Sequence, residues 1–380
     1  MLEKKKGNLS KRIDFNIIVA VIFIAAFGIL ILFSSSREDA ILKEQIMFVI
    51  DGFGIMLATQ FLDYKLLKKV ASWGYIASVF FLLLLLVPEF KVSSHGATRW
   101  IQIAGITIQI AEVVKFLMIV YLAYLLSKHI LAFRKPINVL KVWGFVSVIA
   151  FMILKISSNL SSCLILLMIT FCLTYVASDV QWLHYLSLAI VIVFTVMLCM
   201  YLLVNLPTQN ELEVIEKESY QLARIIAWLA PEKYNSNHSF QILQGLYAIG
   251  SGGFWGQGLG RSLQRDMLPE ATNDMIFCIL AEELGVFGVL LLVILYLFLF
   301  YQIIIVAINA KTIFGRLLCA GIMLHFVFQT LVNMAVATSV IPNTGVTLPF
   351  VSAGGSAMLL YFLQVGIVLS VYRRDVLKWG

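Results

Sequence analysis

Long apolar runs recur along the whole chain, and they leave it few ways to fold. Stretches of about 17–25 apolar residues match the thickness of a bilayer's hydrocarbon core when wound as helix. Such runs lie at approximately 15–33, 43–62, 71–88, 106–126, 142–156, 160–177, 182–204, 274–305, 316–340 and 356–372. In lipid, backbone polar groups must be satisfied within the segment or in a closed barrel, and runs of this length favour helices. The sequence predicts an all-α polytopic membrane protein with about ten transmembrane helices. It reads as one integral membrane domain over residues 1–380. Composition agrees: 61% of residues are hydrophobic and 13% are charged, where a soluble domain carries about 25% charged residues.

The formal charge of +7 invites a nucleic-acid reading, but its distribution argues against one. Basic residues gather in five short segments, Lys4–Arg12, Lys65–Lys69, Lys128–Lys141, Lys311–Arg316 and Arg373–Lys378. Ten crossings put all five on one side, as the positive-inside rule requires. Both termini are then cytoplasmic. No cleavage pattern follows the first run, which ends in Ser34-Ser35-Ser36-Arg37, so that span is expected to be retained. The polar break Lys155-Ile156-Ser157-Ser158-Asn159 reads as a tight external turn, because an interruption at depth would put the later basic segments outside. The five cysteines show no CxxC spacing and read as small hydrophobes.

One hydrophilic segment is long, about 205–273, and this topology makes it a large extracytoplasmic loop. It opens with Glu211, Glu213, Glu216 and Glu218. It then turns amphipathic over Tyr220–Trp228, as a helix on a membrane surface would. A glycine-rich run follows, Gly250 to Gly260, which reads either as a turn or as a loop shaping a headgroup cavity. Its GxGxxG-like spacing follows no βα unit and carries no dinucleotide reading. Loops beyond about 15 residues are uncommon unless functional, and this one leads into Asp274.

Asp274 sits at the edge of a span, and Glu282 and Glu283 follow about two turns further in. A carboxylate at membrane depth costs roughly 2.5–3.5 kcal/mol on insertion scales. Asp274 alone could cap its helix; an aspartate and a glutamate eight residues apart on one face imply a polar cavity. Glu112 and Lys115 are spaced i,i+3 and can neutralise each other. Alternatively Lys115 joins Arg99 in holding an anionic group such as pyrophosphate. Gln329 to Asn333 and the stretch Pro342–Ser356, with two prolines and three glycines, suggest a broken element lined by Asn333, Thr344, Ser352 and Ser356. Five histidines show no ligand spacing, and no serine-hydrolase or zinc-protease motif is present.

Taken together, Gly96-Ala97-Thr98-Arg99-Trp100, Gln109 to Lys115, Ala248 to Gly260, Leu268 to Gly285 and Pro342 to Ser356 resemble the SEDS family (shape, elongation, division and sporulation proteins), typified by RodA, FtsW and SpoVE. The likeness runs through nearly the whole chain in order. It implies a SEDS-type fold in a bacterial cytoplasmic membrane and polymerisation of lipid II at the outer face. It also implies a class B penicillin-binding protein as transpeptidase partner, undecaprenyl chains on the substrate, and no nucleic acid. The family's essential aspartate falls on Asp274, its Arg-Trp arginine on Arg99, its fourth-span acid and lysine on Glu112 and Lys115, and its Glu-Glu pair on Glu282 and Glu283. A divalent cation, Mg or Mn, is an optional aid to such chemistry, with no residue assigned to it.

The chain departs from the family pattern in places. Pro-Asp-Leu-Gly-Thr appears as Ser158-Asn159-Leu160-Ser161-Ser162, the threonine before the aspartate is Asn273, and the tyrosine of Ser-Tyr-Gly-Gly is Ala353. Two other functions stay open at this point: a flippase for a lipid-linked precursor, and a non-catalytic scaffold for a penicillin-binding protein. The Gly-Val-Thr-Leu-Pro wording leans towards the division and sporulation branch.

Overall fold

The computed structural model describes residues 13–36, 39–87, 91–94, 97–103 and 106–377. The first basic cluster, Lys378, and the His95-Gly96 pair lie outside the described residues. Among the described residues thirteen α-helices follow one another: α1 Ile13–Ser35, α2 Asp39–Thr59, α3 Lys65–Leu84, α4 Ile110–Lys128, α5 Pro136–Ile156, α6 Leu160–Ala177, α7 Gln181–Val204, α8 Gln209–Glu218, α9 Tyr220–Leu229, α10 Asn237–Gly252, α11 Ile276–Asn309, α12 Ile313–Ala337 and α13 Gly355–Val371. Among the described residues, nine helices are long and apolar enough to cross a membrane. The expected span 43–62 forms as α2, a tenth long helix of 21 residues. Asp39, Lys43, Glu44 and Asp51 set it apart from the other nine in composition.

Packing follows from small residues facing large ones. Gly52 of α2 lies against the Phe362 ring of α13, and Gly355 lies against the Phe48 ring, so these two helices approach closely. Helix α11 packs on α1, α10 and α12, while α4 packs on α3, α6 and α12. One large apolar cluster runs through these helices, with Ile24, Met118, Ile169, Leu299, Phe326 and Phe362 buried in it.

Three differences from the sequence reading stand out. The expected span 106–126 begins only at Ile110, because Ile106–Gln109 is the third strand of an antiparallel sheet. That sheet comprises β1 Lys91–Ser94, β2 Ala97–Ile103 and β3 Ile106–Gln109, with Trp100 opposite Gln109. β-branched residues alternating with polar ones, as in Ile106-Thr107-Ile108-Gln109, suit a strand better than a helix start. Secondly, the run expected over 274–305 forms a helix that starts at Ile276, leaving Asp274 in the turn before α11. Thirdly, the segment 205–273 is largely helical. Helix α8 opens with a reciprocal Thr208–Glu211 capping box, and α10 is capped by Ser236. Leu212, Ala223, Ile226 and Tyr234 close a small core of their own there.

The break at 157–159 is a turn between α5 and α6, which pack on each other as a hairpin. Its polar residues are nevertheless inside the protein: Ser157 and Asn159 are buried. The asparagine that replaces the family's acid still caps α6, its Oδ1 accepting from Ser162 N at 3.0 Å. Asn and Asp rank alike at that position, so the cap survives the loss of charge.

Candidate active site

Asp274 is held by its backbone before its side chain is considered. Asn333 on α12 donates from Nδ2 to Asp274 O at 2.8 Å and to Val346 O at 2.6 Å. Ser352 donates to Asn273 O at 2.6 Å and accepts from Leu348 N at 2.7 Å. Ala353 N donates to Thr272 O at 3.0 Å. The irregular segment 338–354 is thereby stitched to the Asp274 turn, as expected of broken backbone that faces protein rather than lipid.

The carboxylate itself is in a different condition. Asp274 is 8% exposed, and its Oδ1 is buried with no hydrogen-bond partner among the described residues. Burial first, and then the negative charge of Glu270, push its carboxyl up to about 7, against the opposing pull of Arg224 and Arg99. Gly345 lets these groups converge. Its φ is +71°, and a β-carbon placed there would lie 3.0 Å from Arg99 Nη1 and 3.7 Å from Asp274 Oδ2. Arg99 also donates to Ser158 O at 3.4 Å, which ties the sheet to the α5–α6 turn. Ser161 of that hairpin donates to Thr344 O at 2.9 Å.

Arg224 was missed in the sequence reading. It is the one basic residue of α9, and it reaches Asn343 O at 3.2 Å. A narrow crevice lies beside it, lined by Ser158, Gln221, Asn343 and Thr344 among others. Thr344 Oγ1 is buried and unpartnered among the described residues. Asn343 is oriented by Gln241, at 2.6 Å from Nδ2 to Oε1, and Gln241 in turn donates to Pro269 O at 3.2 Å. The only sequence signal for Arg224 was a lone cation in an otherwise apolar-and-amide helix.

The other predicted residues fall into two further clusters. Lys115 donates to Glu112 Oε1 at 2.7 Å and to Gln329 Oε1 at 2.8 Å, and it is fully buried. His325 lies with Nε2 3.4 Å from Glu112 Oε2 and Nδ1 2.9 Å from Gln364 Oε1. Gln329 continues to Tyr361 Oη at 3.1 Å. This is a network inside the bundle in which Glu112 Oε1 accepts from Lys115, while Oε2 faces His325 without a hydrogen bond among the described residues. Ser356 accepts from Gln109 N at 3.1 Å at the junction of β3 and α4.

Glu282 and Glu283 turn towards the glycine-rich loop. Glu282 accepts from Ser262 Oγ and, at 2.9 Å, from Leu263 N. Glu283 accepts from Ser34 Oγ at 2.5 Å and Gly260 N at 3.2 Å. Helix α11 kinks at Gly285, φ +62°, where a side chain would collide with the backbone of Phe254 and Gly256. Loop amides replace the interrupted helix bonds: Gln257 N and Gly258 N donate to Glu282 O and Glu283 O at 2.9 and 3.0 Å. The eight-residue spacing of Asp274 and Glu282 therefore serves two separate polar clusters. Among the described residues no group of three His, Cys, Asp or Glu side chains gathers to hold a metal ion.

A polytopic helical protein with a buried, partly unsatisfied carboxylate that meets an arginine across Gly345 belongs to the class of membrane-embedded proteins with a polar site inside the bundle. The comparisons make that class specific. The family model for FtsW, RodA and SpoVE, described as cell cycle protein, matches residues 13–376, and the chain belongs to that family. It is 31% identical over 372 residues to the probable peptidoglycan glycosyltransferase FtsW of Geobacter sp. strain M18, covering 95% of this chain and 97% of the relative. It is 30% identical over 378 residues to the stage V sporulation protein E of Bacillus subtilis strain 168, covering 95% and 97%. The fold is similar to a chain from a peptidoglycan synthase complex that coordinates polymerization and crosslinking, with TM-score 0.76 and 24% identity over 94% of this chain and 97% of that one. It is also similar to the rod shape determining protein RodA of Thermus thermophilus, with TM-score 0.66 and 24% identity over 95% and 96%.

Proposed function

We propose that the chain is a peptidoglycan glycosyltransferase that polymerises lipid II, with Asp274 as the general base. The observation that carries the residue assignment is the buried Asp274 carboxylate, with Oδ1 unpartnered among the described residues, in a corner shared with Arg99 and near Arg224. A base works best when its pKa lies near the working pH and it sits about 2.6–3.2 Å from the proton it takes. Asp274 accepts the proton of an acceptor sugar 4-hydroxyl, whose oxygen attacks the donor's anomeric carbon and inverts it. The bond to the isoprenyl pyrophosphate breaks, and Arg99 and Arg224 offset the negative charge on the departing group. Lys115, paired with Glu112 and Gln329, acts by holding α4 to α12 rather than by touching phosphate.

A divalent cation held by the pyrophosphate oxygens and water is an optional aid to this chemistry, and no residue is assigned to it. Such an ion would add charge stabilisation at the pyrophosphate. The wider setting belongs to the same reading: the bacterial cytoplasmic membrane, both termini cytoplasmic, segment 205–273 outside, undecaprenyl tails between spans, and a class B penicillin-binding protein that crosslinks the product. Support for the partner comes from the likeness to a chain of a complex that joins polymerization to crosslinking.

The test is gel-resolved glycan formation from lipid II by the purified protein with Mg²⁺ or Mn²⁺, with and without its partner. Asp274→Asn is expected to lose about 10²–10⁴-fold, the usual size of a general-base contribution. Full activity in that variant would refute the assignment. No polymer from folded wild type with its partner would shift the reading to transport or scaffolding.

A further inference from the structure

Helix α2 carries an ionisable side chain at its middle, on the face turned away from the bundle. Its other face runs antiparallel along α13: Phe48 meets Gly355, Gly52 meets Phe362, and Met56 and Thr59 meet Gly366. Phe362 lies seven residues past Gly355 and nine before Val371, so Gly52 is level with the middle of that span. Asp51, next to it in sequence, is exposed, and among the described residues no hydrogen bond or ion pair reaches it. It is twelve residues from Asp39 and eight from Thr59, about 18 and 12 Å along the helix axis. So short a side chain cannot reach either membrane surface. Carboxylates at such depth are costly, and they face protein or a wet cavity rather than lipid.

We propose that this face of α2 is the docking surface for the transmembrane helix of a partner protein, one that carries a basic side chain at mid-membrane depth to pair with Asp51. The proposal goes beyond the glycosyltransferase reading and does not depend on it.

The pattern of exposure fits a second helix. The exposed positions of α2 include Ala40, Glu44, Met47, Asp51, Gly54 and Ala58. These are alternating steps of four and three, the 3.5-residue seam that a partner helix follows in a left-handed crossing. Gly54 has open space where a side chain would stand, unlike Gly52, which admits the Phe362 ring. A mid-helix glycine is destabilising relative to alanine, and no contact inside the chain calls for this one. With Ala58 one turn further on, it lets a second backbone approach closely, as small residues four apart do between membrane helices.

Charge selects the occupant. A second copy of the chain, related by a two-fold axis along the membrane normal, would set Asp51 against Asp51, like charge against like. A phospholipid offers only its tails at this level. A basic side chain from a partner's span neutralises the carboxylate and donates the hydrogen bonds it lacks.

The probe is a synthetic Ala/Leu transmembrane helix of about 20 residues with one central Arg, reconstituted with the full chain in phosphatidylcholine vesicles. Leu57, beside the seam and 42% exposed, is replaced by the photo-crosslinker p-benzoylphenylalanine. The Arg peptide should crosslink about fivefold or more above peptides with a central Leu or Glu. Asp51→Leu should erase that preference, and Gly54→Leu should weaken capture of the Arg peptide. Because Asp51 touches nothing within the chain, Asp51→Leu should melt no lower than wild type; a lower melt would reveal an internal role and overturn the proposal. Equal crosslinking by all three peptides leaves the face to lipid and also overturns it. So does a chain-to-chain crosslink that outcompetes the Arg peptide, which would give the face to a second copy.

Discussion

At the scale of single residues, the chemistry turns on when Asp274 is ionised. Its carboxyl is pushed up to about 7, so below that pH it carries its own proton and cannot take another. Polymerisation is expected to rise with pH through about 7. Glu270 is the second cause of the upward shift after burial; Glu270→Gln should therefore move this limb to lower pH, and a pH–rate profile in which it stays put would contradict the electrostatic coupling. The sign for stability is opposite. The folded carboxyl holds its proton up to about 7 while the unfolded one loses it near the ordinary 3.8. This contribution to stability is fully present below that lower value and is lost as pH rises through about 7. Asp274→Asn, which has no proton to lose, should melt at a higher temperature than wild type above pH 7 while being inactive. The buried trio gives a second prediction. Glu112→Gln leaves the Lys115 charge without its counter-ion and should cost about 3–5 kcal/mol, the usual penalty for breaking a buried pair. Glu112→Gln with Lys115→Met should cost clearly less than the sum, measured as a double-mutant cycle.

At the scale of elements, what was legible in the sequence was whatever a local pattern encodes. Hydropathy located the long helices, and the amphipathic period of Tyr220–Trp228 located α9. Spacing i,i+3 announced the Glu112–Lys115 pair, which forms at 2.7 Å. Contacts between residues distant in sequence were not legible. Nothing local says that Arg224 meets Asn343, or that Glu282 and Glu283 clasp the loop 253–264. Two glutamates on a helix look alike whether they line a cavity or accept loop amides. Asn159 shows the same limit: its departure from the family pattern reads as a loss, whereas the helix cap is kept. Asn159→Ala should destabilise by about 1 kcal/mol and Asn159→Asp by only a few tenths, compared by chemical denaturation. Equal losses would mean that capping is not what this residue does.

At the scale of the whole molecule, the helices are unequally committed to the bundle. In α13 most side chains are buried, while in α7 none beyond His184 is. Helix α7 is fastened near its start. There His184 bonds Thr174 Oγ1 at 3.0 Å and lies edge-on to Trp143, Phe171 and Tyr175, while Tyr185 Oη meets Tyr175 Oη at 2.9 Å. Beyond Ser187 the helix touches little, yet it leads directly into α8 and α9, which deliver Arg224 to the site. A lipid-facing stretch needs apolar character and length, not particular side chains. Replacing residues 190–200 of α7 wholesale with leucine should therefore shift stability by no more than about 0.5 kcal/mol, the range of substitutions that touch nothing. His184→Ala should loosen the start of α7, because it removes the hydrogen bond to Thr174 and three edge-on ring contacts and leaves the Tyr185–Tyr175 pair to hold that end. The comparison is a thermal melt of the two variants together with limited proteolysis in the 205–219 linker. Faster cleavage in His184→Ala than in the leucine variant is expected. The reverse order would mean that α7 is held along its length by contacts the exposed face does not reveal.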